Sequence, residues 1–349
     1  MHEYKGVIHI HSTYSDGSGS VEEILKAASE VDIDYIILTD HNTIQAKTDG
    51  YEGWYNDLML IVGYELNDKD DKNHYLVFGL DEVPKDIDDA KNYLDFVEKK
   101  KGIGFIAHPM EKRKNLNMHP AYPWTRWDLE NYTGIEIWNH MSEWVEGLTD
   151  KNKLNRLIHP LKSIHAPSRD TLRLWDRVNR SRSVPAIGSV DAHAHKQDLG
   201  GFFNLEIFAY KILFKSIRTH VLLDDDIGLK KRHRFDKQKK EIFEALKCGH
   251  SFVGNYYHGD AKGFRFSAQV KKKKFIMGDT VQKEKNDVVN FSAQVPLGGE
   301  IRLLRNGEVI HEENGMEMLY NTRDFGNYRI EVYKGKKGWI YSNNIRIIL

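Results

Sequence analysis

Apolar and polar positions along the first two-thirds of the chain follow two rhythms. Short, dense apolar runs occur at KGVIHI (residues 5–10), DYIILTD (34–40), LMLIVGYEL (58–66), HYLVFGL (74–80), IGFIAHP (103–109), TGIEIWNH (133–140), VPAIGSVDAHAH (184–195) and RTHVLL (218–223). Runs of this length, rich in β-branched residues, predict buried strands. Between them the apolar positions return every three to four residues. SVEEILKAASEV (20–31) predicts a helix with Ser20 as N-cap and Glu23 closing a capping box. Residues 86–101 place Ile87, Ala90, Leu94 and Val97 on one helical face and stop near Gly102. A helical region spans about 149–180 and includes SRDTLRLWDRVNRS, and residues 236–247 form an amphipathic helix ended near Gly249. The stretch 44–56 has no clear rhythm, and the runs at 58–66 and 74–80 are close enough to pair directly. Alternating strands and helices predict an α/β fold with a mainly parallel sheet.

Beyond residue 259 the texture changes. GFRFSAQV, NDVVNFSAQV, EIRLLRNGEVI, GNYRIEVY and WIYSNNIRIIL read as strands, with turn signals at Asn306-Gly307 and Gly326-Asn327. The expectation is a small antiparallel β-sandwich domain at 259–349, following an α/β domain at 1–258. The KKKK run at 271–274 fits an exposed hairpin, and KKRHR at 230–234 a solvated surface.

A chain of 349 residues with 40% hydrophobic and 29% charged residues has room for a large core and more than one domain. Lys plus Arg equals Asp plus Glu at 51 each, so no global field steers it toward nucleic acid or an anionic membrane. No apolar run reaches the roughly 20 residues that span a bilayer, and the N-terminus lacks the layout of a signal peptide. Cys248 is the only cysteine, so no intramolecular disulfide forms, which fits a reducing compartment. A cytoplasmic protein is expected.

The chemistry lies where the strands run out. GVIHIHSTYSDGSGS places His9 and His11 two residues apart, with Asp16 downstream. Then follow His41 in YIILTDHNT, Glu65 in IVGYELN, His74 in NHYLVFGL, His108 in FIAHP, and Asp191 with His193 in AIGSVDAHAH. Alternation along a strand would aim His9 and His11 the same way, and likewise Asp191 and His193. Imidazoles and carboxylates are the usual ligands of catalytic Zn, Mn or Fe. Nine such residues at strand ends point to a polynuclear metal centre at one rim of a barrel. His74 differs, because it opens its strand.

Taken in order, His-x-His, Ser-Asp-Gly, Thr-Asp-His, Gly-x-Glu, His, Ala-His-Pro and Asp-x-His resemble the PHP superfamily, named for its polymerase and histidinol-phosphatase members, over about residues 5–225. The resemblance implies a distorted (β/α)7 barrel holding two or three divalent ions. It assigns His9, His11, Glu65 and Asp191 to one ion, Glu65 as a bridge with His74 and His108 to a second, and Asp16, His41 and His193 to a third. The C-terminal phrases, with SFVGN and FKSIRTHVLL, resemble the carbaryl-hydrolase-like branch of metallohydrolases, which carries an appended β-domain. The implied activity is a metal-dependent phosphoesterase acting on small phosphorylated molecules or nucleotides, with a metal-activated hydroxide as nucleophile. A carboxylester or carbamate hydrolase on the same metals is the alternative, and a binding module with a relic metal site is a third reading.

Other residues complete the expectation. Asp191, His193 and His140 are the candidate catalytic groups, with His140 as a possible proton donor. Arg113, Arg169, Arg182, Asn139 and His195 are candidates for substrate binding, the arginines through bidentate contacts to a phosphate. Asp40 either orients a ligand imidazole or caps a turn. No Gly-x-Ser-x-Gly elbow is present, and Cys248 falls at a helix end.

Overall fold

The computed structural model describes residues 1–113, 120–198, 204–206, 208–228 and 233–349. The first three residues of the basic run at 230–234 lie outside this set. The strands are β1 (His2–Ile8), β2 (Tyr35–Leu38), β3 (Gly53–Tyr55), β4 (Leu58–Val62), β5 (Tyr64–Leu66), β6 (Tyr75–Phe78), β7 (Ile103–Ile106), β8 (Gly134–Asn139), β9 (Ala186–Ser189), β10 (Lys196–Asp198), β11 (Asn204–Glu206), β12 (Ile217–Leu223) and β13 (Ser251–Asn255). The C-terminal region adds β14 (Arg265–Val270), β15 (Lys273–Ile276), β16 (Thr280–Gln282), β17 (Val289–Arg305), β18 (Glu308–Thr322), β19 (Gly326–Lys334), β20 (Lys337–Ser342) and β21 (Ile345–Ile348). The helices are α1 (Val21–Ser29), α2 (Gln45–Thr48), α3 (Ala90–Lys99), α4 (His140–Glu146), α5 (Lys153–Ile158), α6 (Arg169–Val178), α7 (Tyr210–Leu213) and α8 (Phe235–Cys248). None is long and apolar enough to cross a membrane among the described residues.

The fold is mixed α/β, but the expected barrel does not close. β12, β1, β2, β4 and β3 are neighbours in one large sheet, whereas β5 to β9 form a separate five-stranded sheet. The run LMLIVGYEL, a single strand by pattern, splits at Gly63 into β4 and β5, one in each sheet. A Cβ on Gly63 would lie 2.6 Å from the carbonyl oxygen of Val77, so only glycine lets the chain cross there. The sheets touch through isolated bridges, Ile10 to Ala192 and His41 to Glu65. Both bridges fall among the predicted metal ligands.

Pairing is parallel for β1–β2, β2–β4, β7–β8 and β8–β9, and antiparallel for β5–β6 and β6–β7. Because β6 runs against its neighbours, its start faces the rim where β7, β8 and β9 end. That places His74, which precedes β6, beside residues that follow the other strands.

The helices form where their caps and periodicity place them. Ser20 and Glu23 make both halves of the capping box on α1. α3 begins behind Asp89, whose carboxylate caps it, rather than at residue 86. α8 ends at Gly249 in a left-handed C-cap, φ 78°. The helical region at 149–180 resolves into α5, a single 3₁₀ turn and α6.

The C-terminal strands pair antiparallel except for β16 with β21, and they surround an apolar cluster that includes Phe266, Phe291, Trp339 and Ile340. β20 pairs with β13, so the large sheet continues from the N-terminal region into these strands. Asn306 and Gly307, at φ 54° and 89°, make the tight turn between β17 and β18. Lys271 and Lys272 turn between β14 and β15, as the lysine run suggested. Gly326-Asn327 is not a turn: both residues open β19 and pair with Ile347 and Arg346.

Candidate metal centre

β1 ends at Ile8, one residue before His9, and β9 ends at Ser189, two before Asp191. His9, His11, His108, Asp191 and His193 therefore sit just past strand ends, whereas Glu65 lies within β5 and His74 just before β6. His9, His108 and Asp191 have positive φ, at 67°, 25° and 54°. Left-handed backbone in such residues costs free energy and gathers at functional sites. It turns the chain at the rim and converges side chains that strand alternation alone would not place.

Glu65 is the hub. Its Oε2 lies 2.9 Å from His9 Nε2, 3.2 Å from His11 Nε2 and 3.7 Å from His41 Nε2. Its Oε1 lies 2.9 Å from His74 Nδ1 and 3.5 Å from His108 Nε2. Asp191 Oδ1 is 3.4 Å from His9 Nε2, 3.6 Å from His11 Nε2 and 3.4 Å from His193 Nδ1. Asp16 closes the far side, 3.2 Å from His193 Nε2 and 3.8 Å from His41 Nε2. All nine predicted ligands are thus brought together. Their donor atoms fall into overlapping groups, each spanning less than 4.8 Å: His11, Asp16, His41 and His193; His9, Glu65 and His108; His9, His11 and Asp191; and His41, Glu65 and His74.

These residues fit divalent cations. Two donors about 2.1 Å from one ion stand roughly 3.0–3.5 Å apart, the range of half of the separations above, and the rest lie within 0.3 Å of it. Hydrogen bonding alone leaves the cluster unsatisfied: both ring nitrogens of buried His11, Nδ1 of His41 and of His108, and Nε2 of His74 have no hydrogen-bond partner. Buried polar atoms without partners are costly, and a bound cation would satisfy these ring nitrogens.

The metal-free electrostatics agree. Burial and the neighbouring His193 push the His11 imidazole down to about 3, leaving it neutral. Burial opposes charge on His74 as well, but Glu65 and Asp71 outweigh it and raise the imidazole to about 10. His9 is likewise buried, yet Asp191, Glu65 and Glu136 hold it well above the usual histidine range. Glu65 stays far below the usual carboxylate range despite burial, because His9, His41 and His74 face it. Without metal, protonated imidazoles supply the positive charge that three carboxylates require.

Two supporting residues, Glu136 and Tyr210, escaped the sequence. Glu136, 1% exposed in β8, accepts from His9 Nδ1 at 2.9 Å, the His108 backbone N–H at 2.7 Å and Asn139 Nδ2 at 2.9 Å, and also from the Ser189 hydroxyl. Its only signal was a charge in the middle of an apolar strand. Tyr210 donates its hydroxyl to the His11 carbonyl at 2.7 Å and accepts from the Gly19 N–H, clamping the loop that carries Asp16. Asp40 caps a turn: it accepts from the Ser12 N–H, the Ser12 hydroxyl and the Ser15 hydroxyl, each at 2.7 Å.

The remaining candidates are scattered. Asn139 donates to Glu136 and to Asp191 Oδ2 at 3.2 Å, and its Oδ1 caps α4, so its polar atoms hold other groups of the site. His140 is fully buried with neither ring nitrogen hydrogen-bonded, and burial with Arg156 nearby pushes it down to about 3. It does not line the cavity over the ligands, whereas Arg113 and His195 do. His195 stacks on His193 with ring centroids 5.1 Å apart, and Arg113 is tied to Glu111. Arg169 opens α6 on the exposed surface. Arg182 lies over the Tyr132 ring and lines a different cavity, before β9 rather than past its end.

Residues 8–164 match the family described as PHP domain. No curated protein matches the chain in sequence. Among solved structures, a two-domain protein from Bacteroides vulgatus, described as containing a predicted PHP-like metal-dependent phosphoesterase, is 14% identical. That similarity covers 99% of this chain and 95% of the other, with a TM-score of 0.44. A protein from Bifidobacterium adolescentis, with a provisional description as a metal-dependent phosphoesterase, is also 14% identical. It covers 58% of this chain and 92% of its own, with a TM-score of 0.33.

Proposed function

We propose that the protein is a metal-dependent hydrolase of phosphate esters, with two or three divalent ions (Zn, Mn or Fe) held by His9, His11, Asp16, His41, Glu65, His74, His108, Asp191 and His193. The observation that carries this reading is the convergence of five imidazoles on the two oxygens of one buried carboxylate, Glu65. Divalent ions bound there supply Lewis acidity and lower the pKa of bound water toward neutrality.

The chain's own residues do the rest. Asp16, Glu65, Asp71 and Asp191 bring four negative charges to the cavity; two divalent ions would balance them and three would exceed them, so a three-ion pocket favours an anionic substrate. Arg113 and Lys153 line the same cavity and add to that preference. Glu136 and Asn139 hold His9 and Asp191 in place, and Tyr210 fixes the loop around His11. His195 lines the same cavity, stacked on His193, where it would contact a bound substrate.

A carboxylic or carbamic ester hydrolase on the same ligands is the second reading, favoured by the apolar side of the cavity, which an uncharged ester suits. Turnover of matched aryl phosphates, aryl esters and aryl carbamates by metal-replete protein separates the two. The phosphoesterase reading expects phosphate turnover that chelation abolishes and added metal restores. A fully loaded protein inert toward every phosphate ester would refute it.

A further inference from the structure

The cavity over the ligands has a volume of about 870 Å³, far more than a phosphoryl group needs. Its two sides differ in chemistry. One is the cluster of imidazoles and carboxylates. The other is Met141, Trp144, Val145, Leu148, Leu157 and Phe208. Met141, Trp144, Val145 and Leu148 are spaced i, i+3, i+4, i+7 along α4 and just past its C-cap, an apolar helical stripe. Such a stripe usually packs on a protein core. Here Met141, Val145, Leu148 and Leu157 are only partly covered and border the cavity.

The apolar side offers little to a polar ligand. The Trp144 indole N–H is taken by the Arg156 carbonyl at 3.1 Å, and its ring meets Phe208 edge-on with centroids 4.5 Å apart. The other four side chains are hydrocarbon or thioether. A nucleobase needs donors and acceptors along its edge, and none of these six side chains supplies a free one. The other polar and charged lining groups, Ser15, Asn67, Asp71, Arg113, Tyr122 and Lys153, belong to the same mouth but not to the stripe.

We infer that the α4–α5 wall is a subsite for a hydrocarbon group, so that the substrate is an ester with its anionic head at the metal centre and an aryl or alkyl body along Met141, Val145, Leu148 and Leu157. This rests on the metal-dependent ester-hydrolase reading and narrows it away from nucleotides and small polar phosphates. Burying a methylene here should strengthen binding about fourfold.

The test is calorimetric titration of metal-loaded protein with 4-alkylphenylphosphonates, methyl through butyl, which are not hydrolysed. Affinity should rise about fourfold per methylene. Leu148→Asn should flatten that slope, and Leu157→Ala serves the same purpose should the first variant fold poorly. A flat series in the native protein, or no binding by any member, overturns the inference. Turnover of the corresponding phosphate esters is scored separately. A steep binding series with no phosphate turnover refutes the phosphoesterase reading and leaves the hydrocarbon subsite standing.

Discussion

Glu136 controls a ligand without reaching the cavity. His9 has one ring nitrogen on Glu136 and the other on Glu65 and Asp191. The Nδ1 proton is held by Glu136, so Nε2 is the nitrogen that faces a cation. Carboxylate partners of this kind fix tautomer and orientation and raise ligand basicity. Gln at position 136 would set an amide N–H₂ against groups that themselves donate. Glu136→Gln should therefore weaken metal affinity about 10–100-fold, measured by competition with a chelator. Unchanged affinity would mean that packing alone orients His9. The nine residues that converge around Glu65 were legible in the sequence because imidazoles and carboxylates recur at the ends of its apolar runs. Glu136 was not, because one charge within GIEIWN carries no periodicity that says which way it faces.

Elements turn these residues into a site through their ends rather than their lengths. Asp16 is carried by the turn after His11, and that turn presses on the His11 backbone: a Cβ on Gly17 would lie 2.2 Å from the His11 carbonyl oxygen. The clash is with main chain and cannot be relieved by a rotamer change. Gly17→Ala should push Asp16 away from His41 and His193 and lower the bound metal by about one ion per chain, with helix content retained by circular dichroism. A variant that keeps full metal content would show that Asp16 is not a ligand. The Ser-Asp-Gly letters of this turn and the capping box of α1 were both readable along the chain, because both are local signals. Strand alternation predicted convergence of His9 with His11 for the wrong reason, since left-handed residues past the strand ends do the aiming. The placement of His74 depends on β6 running antiparallel, which follows from the short link that lets the runs at 58–66 and 74–80 pair directly, as β5 and β6 do.

Across the whole molecule, β/α alternation was legible and closure was not, because closure depends on which ladders form at Gly63 and between β1 and β9. The docking of the C-terminal strands was also hidden. Arg329 in β19 makes a bidentate contact with Asp176 of α6 at 2.8 and 2.9 Å and a third with Glu331, with its side chain 2% exposed. Arg329→Leu should destabilise the protein by about 3–5 kcal/mol, since it strands buried carboxylates. Denaturant unfolding measures this, and a loss below 1 kcal/mol would contradict it. The metal centre adds a global pH dependence to the metal-free protein. His74 is raised to about 10 from an ordinary 6.5, so its stabilisation is complete below 6.5 and is lost as pH climbs toward 10. Glu65 is lowered from an ordinary 4.5, so its contribution is complete above 4.5 and is lost as pH falls below it. His11, pushed down to about 3, adds stability as pH rises to its ordinary 6.5, so melting temperature in excess chelator should peak near 6.5, and added metal should remove the alkaline decline. An alkaline decline that persists unchanged with metal would contradict the exchange of protons for ions.

The most direct measurement is the metal-to-protein ratio of purified protein after incubation with Zn and Mn and removal of free ions, alongside Glu65→Ala. A polynuclear centre built around that carboxylate predicts two to three ions per native chain and a loss of more than one in the variant. A native ratio below one, or a variant that keeps the native ratio, would contradict it.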